Sequence, residues 1–462
     1  MNHHNNPAPA GLSGLGNVHF IGIGGVGMSA VARIMVARGV PVSGSDAKDL
    51  PVMADLAAAG ARIAVGYAAV NLGDAQTVVA GSAIRPDNPE LAAARAAGLP
   101  VLHRSEALAA TMGDDTVVTV AGTHGKSTTT AMVAVLLKGA GLDPSFAIGA
   151  NVPALGVNAA HGKSPVFVAE ADESDGSFLN YRPRIAVVTN VEPDHLDHYG
   201  TAEAVYESFD RFTALLPADG VLVACADDPG ALALAERTRG RGNTRVVLYG
   251  TGEGAALRLH DGGPGDVAVS TPEGSFSLAL QVPGRHNALN AAAAFAVALE
   301  LGVEPAAAAE ALARFSGASR RFEFKGSARG VRVFDDYAHH PTEVRAALSA
   351  ARTVAAGHKV HVLFQPHLFS RTREFARDFA DALNLADTAL VLDIYPARED
   401  PIPGVTSRLI ADHLHHGGRL VAGEDAVAEM VAAARDGDVI LTAGAGDVTA
   451  FGPRIVEALH GR

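Results

Sequence analysis

Short runs of β-branched and aliphatic residues alternate with Ala-rich stretches of helical period from about residue 17 to the end of the chain. This rhythm predicts parallel strands joined by crossover helices, and so an α/β fold. In the first block, strands are expected at Val18–Ile23, Val40–Gly44 and Thr77–Ala80, with helices near 26–38, 51–59 and 88–97. Thr116–Ala121 then reads as a strand that enters a Gly-rich turn and a long helix, Thr128–Gly139. Further strands are expected at Val166–Ala169, Ile185–Thr189, Val221–Cys225 and Val246–Tyr249. Residues 257–282 switch to a period of two around Gly and Pro, the pattern of a small antiparallel insertion. Helices near 287–301 and 305–314 close this block. The rhythm resumes with strands Val331–Asp335, Lys359–Phe364, Ala389–Leu392 and Val439–Thr442.

A chain of 462 residues exceeds one ordinary domain of about 100–150 residues and predicts two or three. The pattern divides it into a flexible tail over 1–16 and three α/β domains over 17–112, 113–318 and 319–462. With 48% hydrophobic and 19% charged residues it can build large cores, which excludes disorder as a whole. The net charge of −13 excludes a non-specific nucleic-acid binder, whose affinity depends on neutralising phosphates. Anionic ligands must instead be held by helix N-termini, single cations or metal ions. One cysteine, Cys225, excludes an internal disulfide or a Cys-rich zinc site. The longest apolar stretches, such as 131–137, stop far short of a membrane span. The opening residues lack the basic start and apolar block of a secretory signal, so a soluble cytoplasmic protein is expected.

Gly22-Ile23-Gly24-Gly25-Val26-Gly27 lies between a predicted strand and a helix, and Asp46 follows at the end of the next strand. Backbone amides at such a turn suit a pyrophosphate, and an acidic residue so placed suits a ribose hydroxyl. NAD, FAD or a nucleotide-sugar diphosphate all fit; the motif marks a diphosphate cradle, not a redox reaction. Gly122-Thr123-His124-Gly125-Lys126-Ser127-Thr128 ends as a phosphate loop ends, with Lys for terminal phosphates and Ser for Mg²⁺. It is a shortened variant, because Val120 stands where the usual spacing has a further glycine.

Two acidic clusters follow strands that share this edge. One is Glu170-Ala171-Asp172-Glu173-Ser174-Asp175, the other Glu192-Pro193-Asp194-His195-Leu196-Asp197-His198. Oxygen ligands such as Glu170 suit Mg²⁺, and a neutral imidazole such as His195 could complete a second metal site. A single carboxylate of this set is more often a solvated loop residue or helix cap; the shared edge favours chemistry. Asn287 and Asn290 lie one helical turn apart, on one face, where they suit a base or ribose. Two later loops, Asp335-Asp336-Tyr337-Ala338-His339-His340 and Gln365-Pro366-His367-Leu368-Phe369-Ser370-Arg371, suggest a binding face. His361 and the pair His415-His416 are read as structural.

GTHGKST, EADESDGSF, TNVEPDHLDHY, GRHNALN, SRRFE, DDYAHHPTE and GAGD, in this order, resemble the Mur ligases from about Val18 to the C-terminus. Within that family HFIGIGGVGMS and QPHLFSRT look most like the branch that adds L-alanine to UDP-N-acetylmuramate in making the peptidoglycan stem peptide. The resemblance implies an N-terminal Rossmann-like domain for the uridine nucleotide, held at Gly22, Gly24, Gly25, Gly27 and Asp46. It implies a central P-loop ATPase-like parallel sheet with a small antiparallel insertion, and a C-terminal Rossmann-like domain for the amino acid. By the same resemblance Lys126 contacts ATP phosphates, Ser127 and Glu170 hold one Mg²⁺ and His195 the second, and Asn287 and Asn290 hold ATP from the base side. Arg321 and Asp336 fall where the family brings its last two domains together, and Tyr337, His367 and Arg371 would surround alanine. Many such ligases have a polar residue where this chain has Leu368. Residues 200–219 contain no lysine, as expected of the alanine-adding branch.

The implied reaction converts the lactyl carboxylate to an acyl phosphate, which the alanine amine then displaces. The alternatives are a recycling ligase that attaches an intact tripeptide, an NAD-dependent dehydrogenase, and a P-loop switch or transport ATPase with no covalent product.

Overall fold

The computed structural model describes residues 11–242, 244–261, 266–397, 399–415 and 417–461. The tail to residue 10, His416 and the Asp197 side chain lie outside what is described. Packing groups the chain up to Ala279 with Leu289–Phe315 as one compact unit, and Leu280–Ala288 with the chain from Ser316 onward as a second.

The first unit holds two sheets. β1 (Val18–Ile21), β2 (Val42–Asp46), β3 (Arg62–Val65), β4 (Thr77–Ala80) and β5 (Val101–His103) form a parallel five-stranded sheet in the order β3-β2-β1-β4-β5. The strand order reverses beside β1, and open α/β sheets bind ligands at the carboxyl ends of such a point. The helices α1 (Val26–Ala37), α2 (Pro51–Ala58), α3 (Pro89–Ala96) and α4 (Arg104–Met112) make the crossovers. Ahead of β1, Leu15 is buried and its carbonyl accepts the Thr77 hydroxyl at 2.7 Å, so packing begins inside the stretch expected to be tail.

The second sheet has ten strands: β6 (Thr116–Ala121), β7 (Ser145–Ala147), β8 (Ala159–Ala160), β9 (Val166–Glu170), β10 (Ile185–Val188), β11 (Val221–Cys225), β12 (Arg245–Gly250), β13 (Leu257–Asp261), β14 (Asp266–Thr271) and β15 (Gly274–Ala279). Their order is β15-β14-β13-β12-β11-β10-β6-β9-β7-β8. The period-two segment extends this sheet: β13 runs parallel to β12, and β14 and β15 then return antiparallel. Cys225 ends β11, buried, and burial pushes its thiol up to about 11. The crossovers include α5 (Lys126–Gly139), α6 (Leu196–Tyr199), α7 (Ala202–Thr213), α8 (Pro229–Gly240), α9 (Arg285–Glu300) and α10 (Pro305–Leu312). α5 starts at Lys126, two residues before the expected start. Gly125 adopts φ +83° ahead of it and turns the next two residues into its first turn. Helices pack closely here; a Cβ on Gly139 would lie 2.9 Å from that of Ala311.

The second unit has six strands: β16 (Glu323–Ala328), β17 (Val331–Asp336), β18 (Val360–Phe364), β19 (Thr388–Val391), β20 (Arg419–Leu420) and β21 (Val439–Ala443), in the order β16-β17-β21-β18-β19-β20. Among these strands only β16 pairs antiparallel. α11 (Pro341–Ala355) and α12 (Phe369–Leu383) follow β17 and β18. His361 pairs with the buried Asp438 at 3.1 Å, a core contact as expected. Among the described residues no helix is long and apolar enough to cross a membrane.

Candidate active site

β6 lies between β9 and β10, with Val120 opposite Glu170 and Ala121 opposite Val188. The three carboxyl ends are therefore level, and the loops that leave them meet. The 122–127 loop needs its glycines: Gly122 and Gly125 sit at φ +135° and +83°, and a Cβ on Gly122 would lie 2.1 Å from Thr189 Oγ1. A Cβ on Gly125 would lie 2.8 Å from Asn290 Oδ1, so Asn290 rests against the loop.

The loop is tied to the segment after β10. The His124 amide donates to Asn190 Oδ1 (2.7 Å), and Asn190 Nδ2 donates to the His124 carbonyl (3.0 Å). The Thr123 hydroxyl accepts the Glu192 amide at 2.9 Å and meets the Glu192 carbonyl at 3.2 Å. Each such bond contributes about 1 kcal/mol net, and together they fix the loop on one register.

Lys126 Nζ donates to the carbonyls of Gly122 (2.8 Å) and Thr123 (3.2 Å) and lies 2.7 Å from Glu173 Oε2. Only 13% of the lysine side chain and 2% of the glutamate is exposed. The loop lysine is therefore folded inward, not solvent-facing. Burial works against its charge, yet Glu173, Asp172 and Glu170 raise its pKa above the ordinary value. Burial pushes Glu173 up to about 7, against the pull of Lys126. Ser127 Oγ donates to Glu170 Oε1 at 2.9 Å, and the Gly149 amide donates to Oε2 at 2.7 Å. A hydroxyl and a carboxylate make an oxygen-only donor pair, which fits Mg²⁺. His195 has φ +55°, and its Nε2 is 3.6 Å from both Glu173 Oε1 and Asp194 Oδ2. Glu173, absent from the residues expected to act, thus links Lys126 with His195. Nothing in the sequence separates it from its acidic neighbours; its burial against the lysine is what distinguishes it.

At the first sheet, the Gly24 amide donates to Asp46 Oδ2 at 3.0 Å and the Lys48 amide to Oδ1 at 3.3 Å. Asp46 therefore shapes the Gly22–Gly27 turn itself. A Cβ on Gly24 would lie 2.5 Å from Leu50 Cδ1, and one on Gly27 would lie 2.9 Å from Arg104 Cδ.

In the second unit, Asp336, Ala443 and Phe364 are in register at the ends of β17, β21 and β18. Asp336 accepts the amides of Phe322 and Ala338, both at 2.7 Å, which ties the Arg321 corner to the strand end. Burial pushes its carboxyl up to about 7, with Arg321 opposing and Glu343 assisting. Arg321 stands over the Tyr337 ring at 5.2 Å, within cation–π range. His367 stacks on Tyr395 (6.0 Å between centroids) and meets His339 edge-on (5.9 Å). Arg371 is buried in the first turn of α12. Asn287 is buried too, its Nδ2 donating to the Pro283 carbonyl at 2.6 Å.

A level triad of strand ends, with a Lys-bearing loop faced by carboxylates and an imidazole, defines a nucleotide-using α/β enzyme. The chain matches the Mur ligase family, catalytic domain over residues 17–116, the Mur ligase middle domain over 120–298 and the Mur ligase, glutamate ligase domain over 320–446. It belongs to the Mur ligase family. It is 83% identical over 448 residues to a UDP-N-acetylmuramate--L-alanine ligase of Arthrobacter sp. (strain FB24), covering 97% of this chain and 96% of that protein. Among solved structures, a UDP-N-acetylmuramate-alanine ligase of Thermotoga maritima has a TM-score of 0.78 at 31% identity, covering 96% of this chain and 99% of that one. A murein peptide ligase of Psychrobacter arcticus has a TM-score of 0.71 at 26% identity, with the same coverage.

Proposed function

We propose that this chain is an ATP-dependent ligase that joins L-alanine to the lactyl carboxylate of UDP-N-acetylmuramate, the first amino-acid addition to the peptidoglycan stem peptide. The observation that carries this reading is the meeting of Lys126, Glu170, Glu173 and His195 at the level ends of β6, β9 and β10. Full-length identity to an alanine ligase supports alanine over an intact tripeptide as the acceptor. Family membership leaves no support for a dehydrogenase.

An amine cannot displace oxide from a carboxylate, because oxide is too poor a leaving group. One lactyl oxygen attacks the γ-phosphorus of ATP, ADP leaves, and the carboxylate becomes an acyl phosphate. The alanine nitrogen then attacks the acyl carbon, loses a proton, and expels phosphate with that lactyl oxygen. Lys126 exchanges its carbonyl partners for phosphate oxygens, while amides of Gly122, Thr123, His124 and Gly125 and the first turn at Thr128 surround them. Ser127 and Glu170 would hold one Mg²⁺ and His195 a second, and bound there such ions would supply charge neutralisation on the phosphates. Asn287 and Asn290 take the base side of ATP. The Gly22–Gly27 turn and Asp46 take the uridine diphosphate. Arg321 stabilises charge beside the transferred phosphoryl, Asp336 holds its corner, and Tyr337, His367 and Arg371 receive alanine. Domain limits near 113 and 319, supported by the matched spans, belong to the same proposal, as does the cytoplasm as the compartment that supplies these substrates.

ADP release is measured with UDP-N-acetylmuramate and, in turn, each amino acid and the tripeptide. Alanine should sustain turnover; release with the tripeptide alone would transfer the assignment to recycling. With ¹⁸O in the lactyl carboxylate, the label should enter the liberated phosphate.

A further inference from the structure

The N-terminus of α8 grips the segment that carries the phosphate loop. Asp228 caps α8, its Oδ1 accepting the Ala231 amide at 2.7 Å. The same oxygen accepts the Val191 amide at 3.0 Å. Two residues on, Gly230 lies against the other side of Val191: an added Cβ would sit 2.1 Å from the Val191 carbonyl oxygen. That gap is far below any real contact, and the carbonyl is backbone, so a side chain at 230 must force residue 191 and the α8 turn apart.

Val191 itself is buried, between the two residues that hold the loop. Asn190 brackets the amide and carbonyl of His124, and Glu192 brackets the Thr123 hydroxyl. Three layers thus stand in order: the α8 turn, the 190–192 segment, and the Thr123-His124 dipeptide. His195 leaves the middle layer three residues further along.

We propose that Asp228 and Gly230 are positioning residues for the phosphate loop, setting the height of residues 190–192 and so the nucleotide-binding geometry of Thr123 and His124 without touching nucleotide. This rests on the reading of the 122–128 loop as the ATP site. Ordinary capping and close packing alone would make both residues matter for stability and leave ATP affinity unchanged. Positioning makes both matter for nucleotide.

The test measures ATP affinity and the KM values for all three substrates in Asp228→Ala, Asp228→Asn and Gly230→Ala, with Lys126→Ala alongside. Asn keeps an acceptor oxygen for both amides and should stay near wild type. Asp228→Ala and Gly230→Ala should each weaken ATP binding about tenfold or more, in line with the loss of a buried hydrogen bond, while the KM for the sugar nucleotide holds. Gly230→Ala keeps the Asp228 carboxylate, so its effect reads the spacing between the α8 turn and Val191. If it does not fold, the Ala and Asn variants at 228 decide. Lowered melting temperature with unchanged ATP affinity in these variants, while Lys126→Ala has lost ATP binding, overturns the positioning role alone. Unchanged affinity in Lys126→Ala overturns the ATP-site reading beneath it.

Discussion

Lys126 of the phosphate loop and Glu173 after β9 form a buried ion pair, with Nζ 2.7 Å from Oε2 and 2.8 Å from the Gly122 carbonyl. The lysine satisfies itself within the loop, so nucleotide binding there exchanges one set of oxygen partners for another.

Replacing Lys126 with Ala should lower ADP release by about a hundredfold or more, on the order of other losses of transition-state charge stabilisation. It should also lower the melting temperature, because Glu173 is left buried without its counter-charge. Adding Glu173→Gln should restore the melting temperature and leave turnover absent. A single variant that keeps near-full rate would remove the phosphate-loop assignment.

Chelating divalent cations should stop ADP release, and Mg²⁺ should restore it. Glu170→Gln keeps an acceptor for Ser127 and Gly149 but loses the charge. It should raise the Mg²⁺ concentration for half-maximal rate about tenfold. A titration that superimposes on wild type would remove Glu170 from the metal site.

Gly24→Ala would drive a Cβ into Leu50 and Asp46, displacing the turn of the first sheet. The KM for UDP-N-acetylmuramate should rise about tenfold while ATP affinity is unchanged. Equal losses for both substrates would mean that the turn does not belong to one ligand.

Asp336 gives a pH signature. Its folded carboxyl is pushed up to about 7 from 3.8, so the folded state holds this proton more tightly than the unfolded chain. Its contribution is full below the unfolded value and is lost as pH rises through about 7. The melting temperature of wild type relative to Asp336→Asn should therefore fall between about pH 4 and pH 7 and level off above. A constant difference across that window would contradict the shift.

The alternation of strands and helices was legible because parallel strands buried on both faces read as continuous apolar runs, as at Thr116–Ala121 and Val221–Cys225. β3 and β5 were not, being short and half exposed: Arg62 and Val65 face solvent. Lys126, Ser127, Glu170 and His195 could be singled out as candidates from sequence because each lies at a strand's carboxyl end or in the segment that follows one, and parallel order brings those ends together. Glu173 could not be separated from its acidic neighbours, since only folding shows which carboxylate is buried against the lysine. The grip of Asp228 and Gly230 on Val191 joins parts of the chain more than thirty residues apart, and no local pattern encodes it. Sequence also placed the start of α5 two residues late, because the conformation of Gly125 decides it.

Cys225 closes a central strand with its sulfur enclosed and its proton held tightly at neutral pH. Thiol-directed reagents will find almost no thiolate there. A second cysteine engineered onto the surface would then be the preferred point of attachment for a fluorophore or spin probe, with the native thiol left in place.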